Sequence, residues 1–245
     1  VTVSFTHCTY RYKRRSRPVL DGFTYRVREG VTILLGPNGA GKSTSLKLAA
    51  AVVEPQAGHV MFDDLDSRAR AYRRHVSWMP QNITAAPGLT CREQVAYTGW
   101  LKGMSRTDAW TRAQDALRLV NMAEHAGQKA AKLSGGQLRR LGVASALVHD
   151  CRVLLLDEPT AGMDPAQRRV FRDVIAAAAA TRRIHVLMST HDVADLAEDA
   201  DHVTVLASGR LQYDGDTAGF LSHAPYGTPA GRLAEAAYTH FVHSV

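Results

Sequence analysis

Cysteine is scarce in this chain: Cys8, Cys91 and Cys151 are the three in 245 residues, far apart and with no Cys-x-x-Cys spacing. That excludes a disulfide framework or a cysteine zinc site and leaves three reduced, space-filling thiols. Long apolar runs are missing too. The best, residues 153–156 and the alanine run 176–180, fall far short of the ~20 residues that cross a bilayer as a helix. The first residues carry neither the charged start nor the apolar middle of a secretory signal, so a cytosolic location is expected. Internal repeats and low-complexity linkers are also lacking.

What is present is ordinary globular composition, 45% hydrophobic and 22% charged, enough to bury one substantial core or two modest ones. The net charge of +7 is concentrated in residues 11–17, five of which are Arg or Lys, and again in residues 68–74. Nucleic acid, an anionic membrane face and a solvated edge are each compatible with such clusters.

Residues 1–5, 23–27 and 31–35 read as strands between turn signals such as Asp21-Gly22. A helix is expected from Lys42 to about Val53, stopped by Glu54-Pro55. Short strands are expected over 58–62 and 75–79. Beyond Asn82 the texture turns helical: Thr90 with Glu93 forms a capping-box pattern, and Ala109, Ala113, Leu117 and Val120 recur at helical spacing after Ser105. The helical block runs to about Asp150. Residues 152–156 then form an apolar strand of the kind buried on both faces of a parallel sheet. Asp164-Pro165 starts a helix through the alanine run, and strands over 184–189 and 203–207 flank a helix near 193–198. After Ser222 a loop and one short docking helix with Leu233, Ala237 and Phe241 are expected. Alternating strands and helices imply an α/β fold.

Gly36, Pro37, Asn38, Gly39, Ala40, Gly41, Lys42 and Ser43 fit G-x-x-x-x-G-K-S/T, between a strand and a helix. Glycines let backbone NH groups approach a phosphate chain, and the following helix points its positive end at the same anion. Lys42 reaches the terminal phosphates, and the Ser43 hydroxyl suits magnesium. The strand ending in Asp157 and Glu158 supplies a carboxylate to hold that metal and another to polarise an attacking water. "LSGGQ", with Ser134, Gly135, Gly136 and Gln137, opens a second helix N-terminus able to take an anion. Two phosphate-seeking surfaces on one chain suggest a nucleotide sandwiched between two copies.

In this order, "GPNGAGKST" (residues 36–44), "MPQ" (79–81), "LSGGQ" (133–137), "LLLDEPTAGMDP" (154–165) and "STHD" (189–192) resemble the nucleotide-binding domain of ATP-binding cassette (ABC) transporters over about residues 1–220. The resemblance implies a P-loop NTPase, RecA-like core over 1–82 and 150–220, with an antiparallel β subdomain. A helical lobe is inserted over 83–149, and a short tail covers 221–245. It implies ATP and Mg2+ as ligands, with Thr44 closing the phosphate loop. By the same resemblance Gln81 senses metal and γ-phosphate, and Ser134 and Gly136 close on nucleotide held by the opposite subunit. Asp164 communicates across the dimer and His191 contacts the γ-phosphate. The adenine platform falls to Tyr12 or Tyr10, with Tyr12 preferred for its spacing to Pro18-Val-Leu-Asp-Gly22. "AGMD" stands where the family more usually has "AGLD". The segment before "LSGGQ" is more similar to stand-alone ATPase subunits of the ABC-2 exporter type, peripheral on the cytoplasmic face of the membrane beside transmembrane permease subunits. A homodimer and export are expected; import, or action on nucleic acid or ribosomes, are the alternatives, and no nucleic-acid partner is expected.

Overall fold

The computed structural model describes residues 2–193 and 200–242. An antiparallel sheet of order β2-β1-β4-β5 is built from β1 (Val3–Tyr10), β2 (Leu20–Arg26), β4 (Ala57–Phe62) and β5 (Leu65–Asp66). A second sheet, β10-β9-β3-β8-β7-β6, contains β3 (Val31–Leu35), β6 (Val76–Met79), β7 (Val153–Asp157), β8 (His185–Thr190), β9 (His202–Ala207) and β10 (Arg210–Asp216). It is parallel except for β10, which pairs antiparallel with β9.

Successive side chains of the second sheet leave on opposite faces, and each face is dry. Ile33, Leu35, Leu154, Leu156, Val186 and Met188 join one core with helices α4 (Gly135–Leu147) and α5 (Pro165–Arg182). Leu34, Leu155, Leu187 and Leu206 join another with Phe5, Phe23, Tyr25 and the buried leucines of α1 (Lys42–Ala49). That two-sided burial is why these strands read as unbroken apolar runs. The two sheets are also tied by a buried hydrogen bond between the hydroxyls of Tyr25 and Thr204, 3.1 Å.

Helices α2 (Cys91–Leu101) and α3 (Arg106–Leu119) pack on each other and on α4. Each starts as its sequence demands: the Thr90–Glu93 capping box has both of its hydrogen bonds, and Ser105 caps α3. The stripe Ala109, Ala113, Ala116, Leu117 of α3 is buried, and Val120 just beyond it is buried as well. Helix α1 ends at Ala49, four residues short of the expected Val53. Ala51 takes φ 54°, with its N–H donating to Leu48 O and that of Val52 to Lys47 O, the two bonds of a Schellman motif. The proline is therefore not what stops this helix.

Strand β10 and α6 (Thr217–Leu221) are additions to the expected elements. The hairpin from β9 turns at Ser208 and Gly209, both at positive φ, a type I′ requirement that a Ser-Gly pair meets less visibly than Asn-Gly. The last helix, α7 (Leu233–Val242), lays Phe241 against Tyr213, Phe220 and His223 with ring centroids 4.8–5.9 Å apart. Of the helix expected near 193–198, residues 194–198 lie outside the described residues.

Between α4 and β7 the chain buries His149, whose two ring nitrogens have no partner among the described residues. Burial, reinforced by Lys102, pushes its pKa from 6.5 to about 4. Between those values the unfolded chain takes up a proton that the fold refuses. Stability should be unaffected above pH 6.5 and fall as the pH drops from 6.5 toward 4, by up to about 3 kcal/mol. Urea unfolding of the parent and of His149→Leu across that range checks this: the variant should lose most of the slope.

Candidate functional site

Four strands of the parallel sheet end together. Leu35 pairs with Thr190, Asp157 with Ser189 and Met79 with Leu156, so Gly36, Gln81, Glu158 and His191 all follow strand ends on one carboxyl edge, the usual place for a ligand in such sheets.

The loop from Gly36 to Gly41 joins β3 to α1. A Cβ on Gly36 would lie 2.2 Å from the Leu206 carbonyl oxygen, and Gly41 takes φ 107° as the N-cap of α1; neither position accepts a side chain. No side chain caps α1, which leaves the N–H groups of its first turn for another acceptor. Pro37, Asn38, Gly39 and Ala40 form the rest of the cradle. Lys42 is 5% exposed and donates to Gly36 O at 2.6 Å and Pro37 O at 3.2 Å. Its ammonium is 3.5 Å from Glu158 Oε1. Burial lowers the Lys42 pKa, and the charge of Glu158 opposes that shift.

Asp157 and Glu158 are both buried. Asp157 Oδ1 accepts from Ser43 Oγ and from Ser189 Oγ, each at 2.9 Å. Ser189 Oγ in turn accepts the backbone N–H of Glu158 at 3.1 Å. Glu158 adopts φ 47°, a left-handed conformation that costs a non-glycine residue about 1–2 kcal/mol, and its Oε2 lies 2.7 Å from His191 Nδ1. Arg139, from α4, holds the turn that follows by donating to Glu158 O at 3.2 Å, to Pro159 O at 3.0 Å and to Ala161 O.

Lys42, Ser43, Asp157, Glu158 and His191 thus form one hydrogen-bonded network. Tyr12 is attached beside it: its hydroxyl shares a 3.1 Å hydrogen bond with Thr44, its ring is 55% exposed, and Lys47 lies 5.8 Å from the ring centroid. Tyr10 is buried with its ring edge-on to Tyr12. Strand β1 ends at Tyr10, so Tyr12 lies in the loop that follows, where its ring is exposed while that of Tyr10 is buried. Gln81 is exposed and makes no hydrogen bond among the described residues.

The signature residues stand apart. Ser134 and Gln137 cap α4 reciprocally, and Gln137 Nε2 lies 3.2 Å from a ring nitrogen of His125. Asp164 caps α5 by accepting from Gln167 N at 2.9 Å. Ser134, Gly136, Gln137 and Gln167 line a 290 Å³ cleft between the two helix starts, with Gly135 exposed at its side. No hydrogen bond links these residues to the phosphate loop among the described residues. Two members of the site carry no sequence signal of their own. Ser189 precedes His191 in a motif but reveals its role only through strand register, and Arg139 looks like any helix arginine until the fold carries it to Glu158.

A phosphate cradle at the edge of a parallel sheet, with two acids on a neighbouring strand, defines a P-loop nucleoside triphosphatase. The model of the family described as ABC transporter matches residues 20–161. The chain is 31% identical over 241 residues to a methionine import ATP-binding protein of Caulobacter vibrioides, covering 96% of this chain and 73% of that protein. It is 36% identical over 200 residues to a Nod factor export ATP-binding protein of Burkholderia lata, covering 80% and 66%. In fold it is similar to a bacterial ABC transporter cassette solved as a dimer, with a TM-score of 0.75 at 24% identity, covering 87% of this chain and 98% of that one. This chain belongs to the ABC transporter family, as an ATP-binding, ATP-hydrolysing domain.

Ser189→Ala tests the network. It strips one donor from buried Asp157 and one acceptor from the Glu158 N–H, and should cost about 1–3 kcal/mol of stability, read as a lower urea midpoint at unchanged slope. An unchanged midpoint would mean that these bonds are not made.

Proposed function

We propose that this chain is the ATPase subunit of an exporter, and that two copies of it close on two Mg-ATP and drive a separate transmembrane permease from the cytoplasmic face of the membrane. The observation that carries this reading is the separation on one chain of a complete phosphate-and-acid network from a second, unconnected anion-seeking helix start at Ser134. A single copy cannot bring both to one nucleotide, whereas a head-to-tail pair can. The higher identity to an export protein, 36% against 31%, favours export. Import is the second reading, favoured by the longer match, 241 residues, to the methionine import protein. On this reading residues 1–82 and 150–220 are the core, 83–149 the helical lobe and 221–245 a tail.

In this scheme Tyr12 stacks on adenine, and the residues from Gly36 to Thr44 cradle the phosphates with Lys42 on the terminal ones. The hydroxyl of Ser43, the carboxylate of Asp157 and the amide of Gln81 are hard oxygen donors of the kind that Mg2+ takes, and the 2.9 Å contact between the first two brings them to one point. Mg2+ bound there supplies charge that neutralises the phosphate oxygens. Glu158 takes the proton of the attacking water, while Lys42 and His191 fix its carboxylate. Ser134, Gly135, Gly136 and Gln137 of one copy face the γ-phosphate held by the other, and Asp164 lies at the shared boundary.

Glu158→Gln should retain ATP binding, lose about 10²- to 10⁴-fold in turnover and accumulate as a dimer with ATP in size-exclusion chromatography; parent-like turnover would sink the assignment of the base. Lys42→Ala should instead lose affinity for a fluorescent ATP analogue, and unaltered titration of that analogue would contradict its placement on the phosphates.

A further inference from the structure

The loop between β1 and β2 carries Arg11, Lys13, Arg14, Arg15 and Arg17, a charge of five where the whole chain nets +7. Among the described residues none of the five has an acidic partner. Arg68, in the other basic cluster, is by contrast within ion-pair distance of Glu54 and Asp66. The loop is not a loose tail. Gln56 clamps Arg11 by accepting from its N–H at 2.8 Å and donating to its carbonyl at 3.0 Å, and Ser16 Oγ donates to Lys13 O at 2.8 Å. Lys13, Arg14, Arg15 and Arg17 are exposed. The same loop holds Tyr12 against Thr44, so its cations are carried on the segment that anchors the ring beside the phosphate loop.

We propose that this loop is an electrostatic funnel for the nucleotide: its unpaired cations raise the rate at which the triphosphate anion reaches the cradle, in proportion to ligand charge, without holding it once bound. The proposal rests on the reading of Tyr12 and the Gly36–Thr44 segment as the nucleotide site. Fixed charge of one sign beside a site raises the local concentration of a counter-charged ligand and accelerates association, an effect that salt removes. Arg14, Arg15 and Arg17 are two to five residues from Tyr12 along the chain, a span of at most about 18 Å. That is inside the Debye length of about 30 Å at about 10 mM salt and far outside that of about 3 Å at 1 M. Arg70 and Arg74 supply a matched comparison. They lie in a short helix whose Tyr72 hydroxyl donates to Ala49 O, at the end of α1 opposite the phosphate loop.

Stopped-flow binding of a fluorescent ATP analogue distinguishes the possibilities. In the Arg14→Gln, Arg15→Gln variant the association rate at low salt should fall roughly three- to tenfold, less for the diphosphate analogue, and meet the parent's at about 1 M salt, with dissociation unchanged. The Arg70→Gln, Arg74→Gln variant removes the same charge from beyond the far end of α1, about 12 Å further from the loop, and should lose clearly less association at low salt. Charge reversal, Arg14→Glu with Arg15→Glu, should deepen the loss. Equal association rates for both double variants at low salt would overturn the funnel, as would an effect confined to dissociation, which marks a direct contact. Should the parent itself fail to bind the analogue, the nucleotide site falls first and the funnel with it.

Discussion

Two carboxylates side by side at the dry end of a strand are an electrostatic burden, and the architecture around β7 answers it. An unpaired buried carboxylate would take up a proton. Asp157 accepts hydrogen bonds from two serine hydroxyls of different elements, Ser43 and Ser189. Glu158 lies beside the ammonium of Lys42 and the imidazole of His191. The compensating groups enter from two other segments, Lys42 and Ser43 at the start of α1 and Ser189 and His191 at the end of β8, so the acids can exist in this form only when β3, α1, β7 and β8 are assembled. The site and the sheet are one cooperative object.

The same arrangement explains the strained backbone at Glu158. The residue must leave β7 and turn its side chain toward Lys42 and His191 while its N–H still points at Ser189, and φ 47° achieves both. The strain of about 1–2 kcal/mol is offset by hydrogen bonds on both sides of the residue: Ser189 Oγ on the N–H, and the Arg139 guanidinium on the carbonyl. Bonds to a charged donor contribute about 1.5–3 kcal/mol each, which exceeds the strain.

Local chemistry was legible in the sequence wherever a few neighbouring residues decide the outcome. The Thr90–Glu93 capping box, the Asp164-Pro165 helix start and the glycines of the phosphate loop are such cases. The end of α1 was not, because an alanine, Ala51, takes the left-handed position that glycine usually signals. Strand β10 escaped because its residues Arg210–Asp216 are polar, half-exposed and at the sheet edge, where apolar patterning fades. Ser189 and Arg139 escaped for a different reason: their partners lie 32 and 19 residues away, and only strand register and helix packing reveal them.

Arg139 connects the two separated surfaces. It lies five residues beyond Ser134 on the same helix, about 7.5 Å along the axis, and its guanidinium spans three carbonyls of the turn from Glu158 to Ala161. Burial lowers its pKa, but an arginine keeps its charge throughout any working pH range. A packed helix moves as a unit and not as a set of independent turns, so a displacement of α4 pulls through Arg139 on the backbone that sets the Glu158 carboxylate. The bonds of Arg139 are directional, and they add to the apolar packing of a core that holds both Leu141 and Met163. Arg139 is therefore a direct hydrogen-bonded link between the helix that starts at Ser134 and the turn that follows β7.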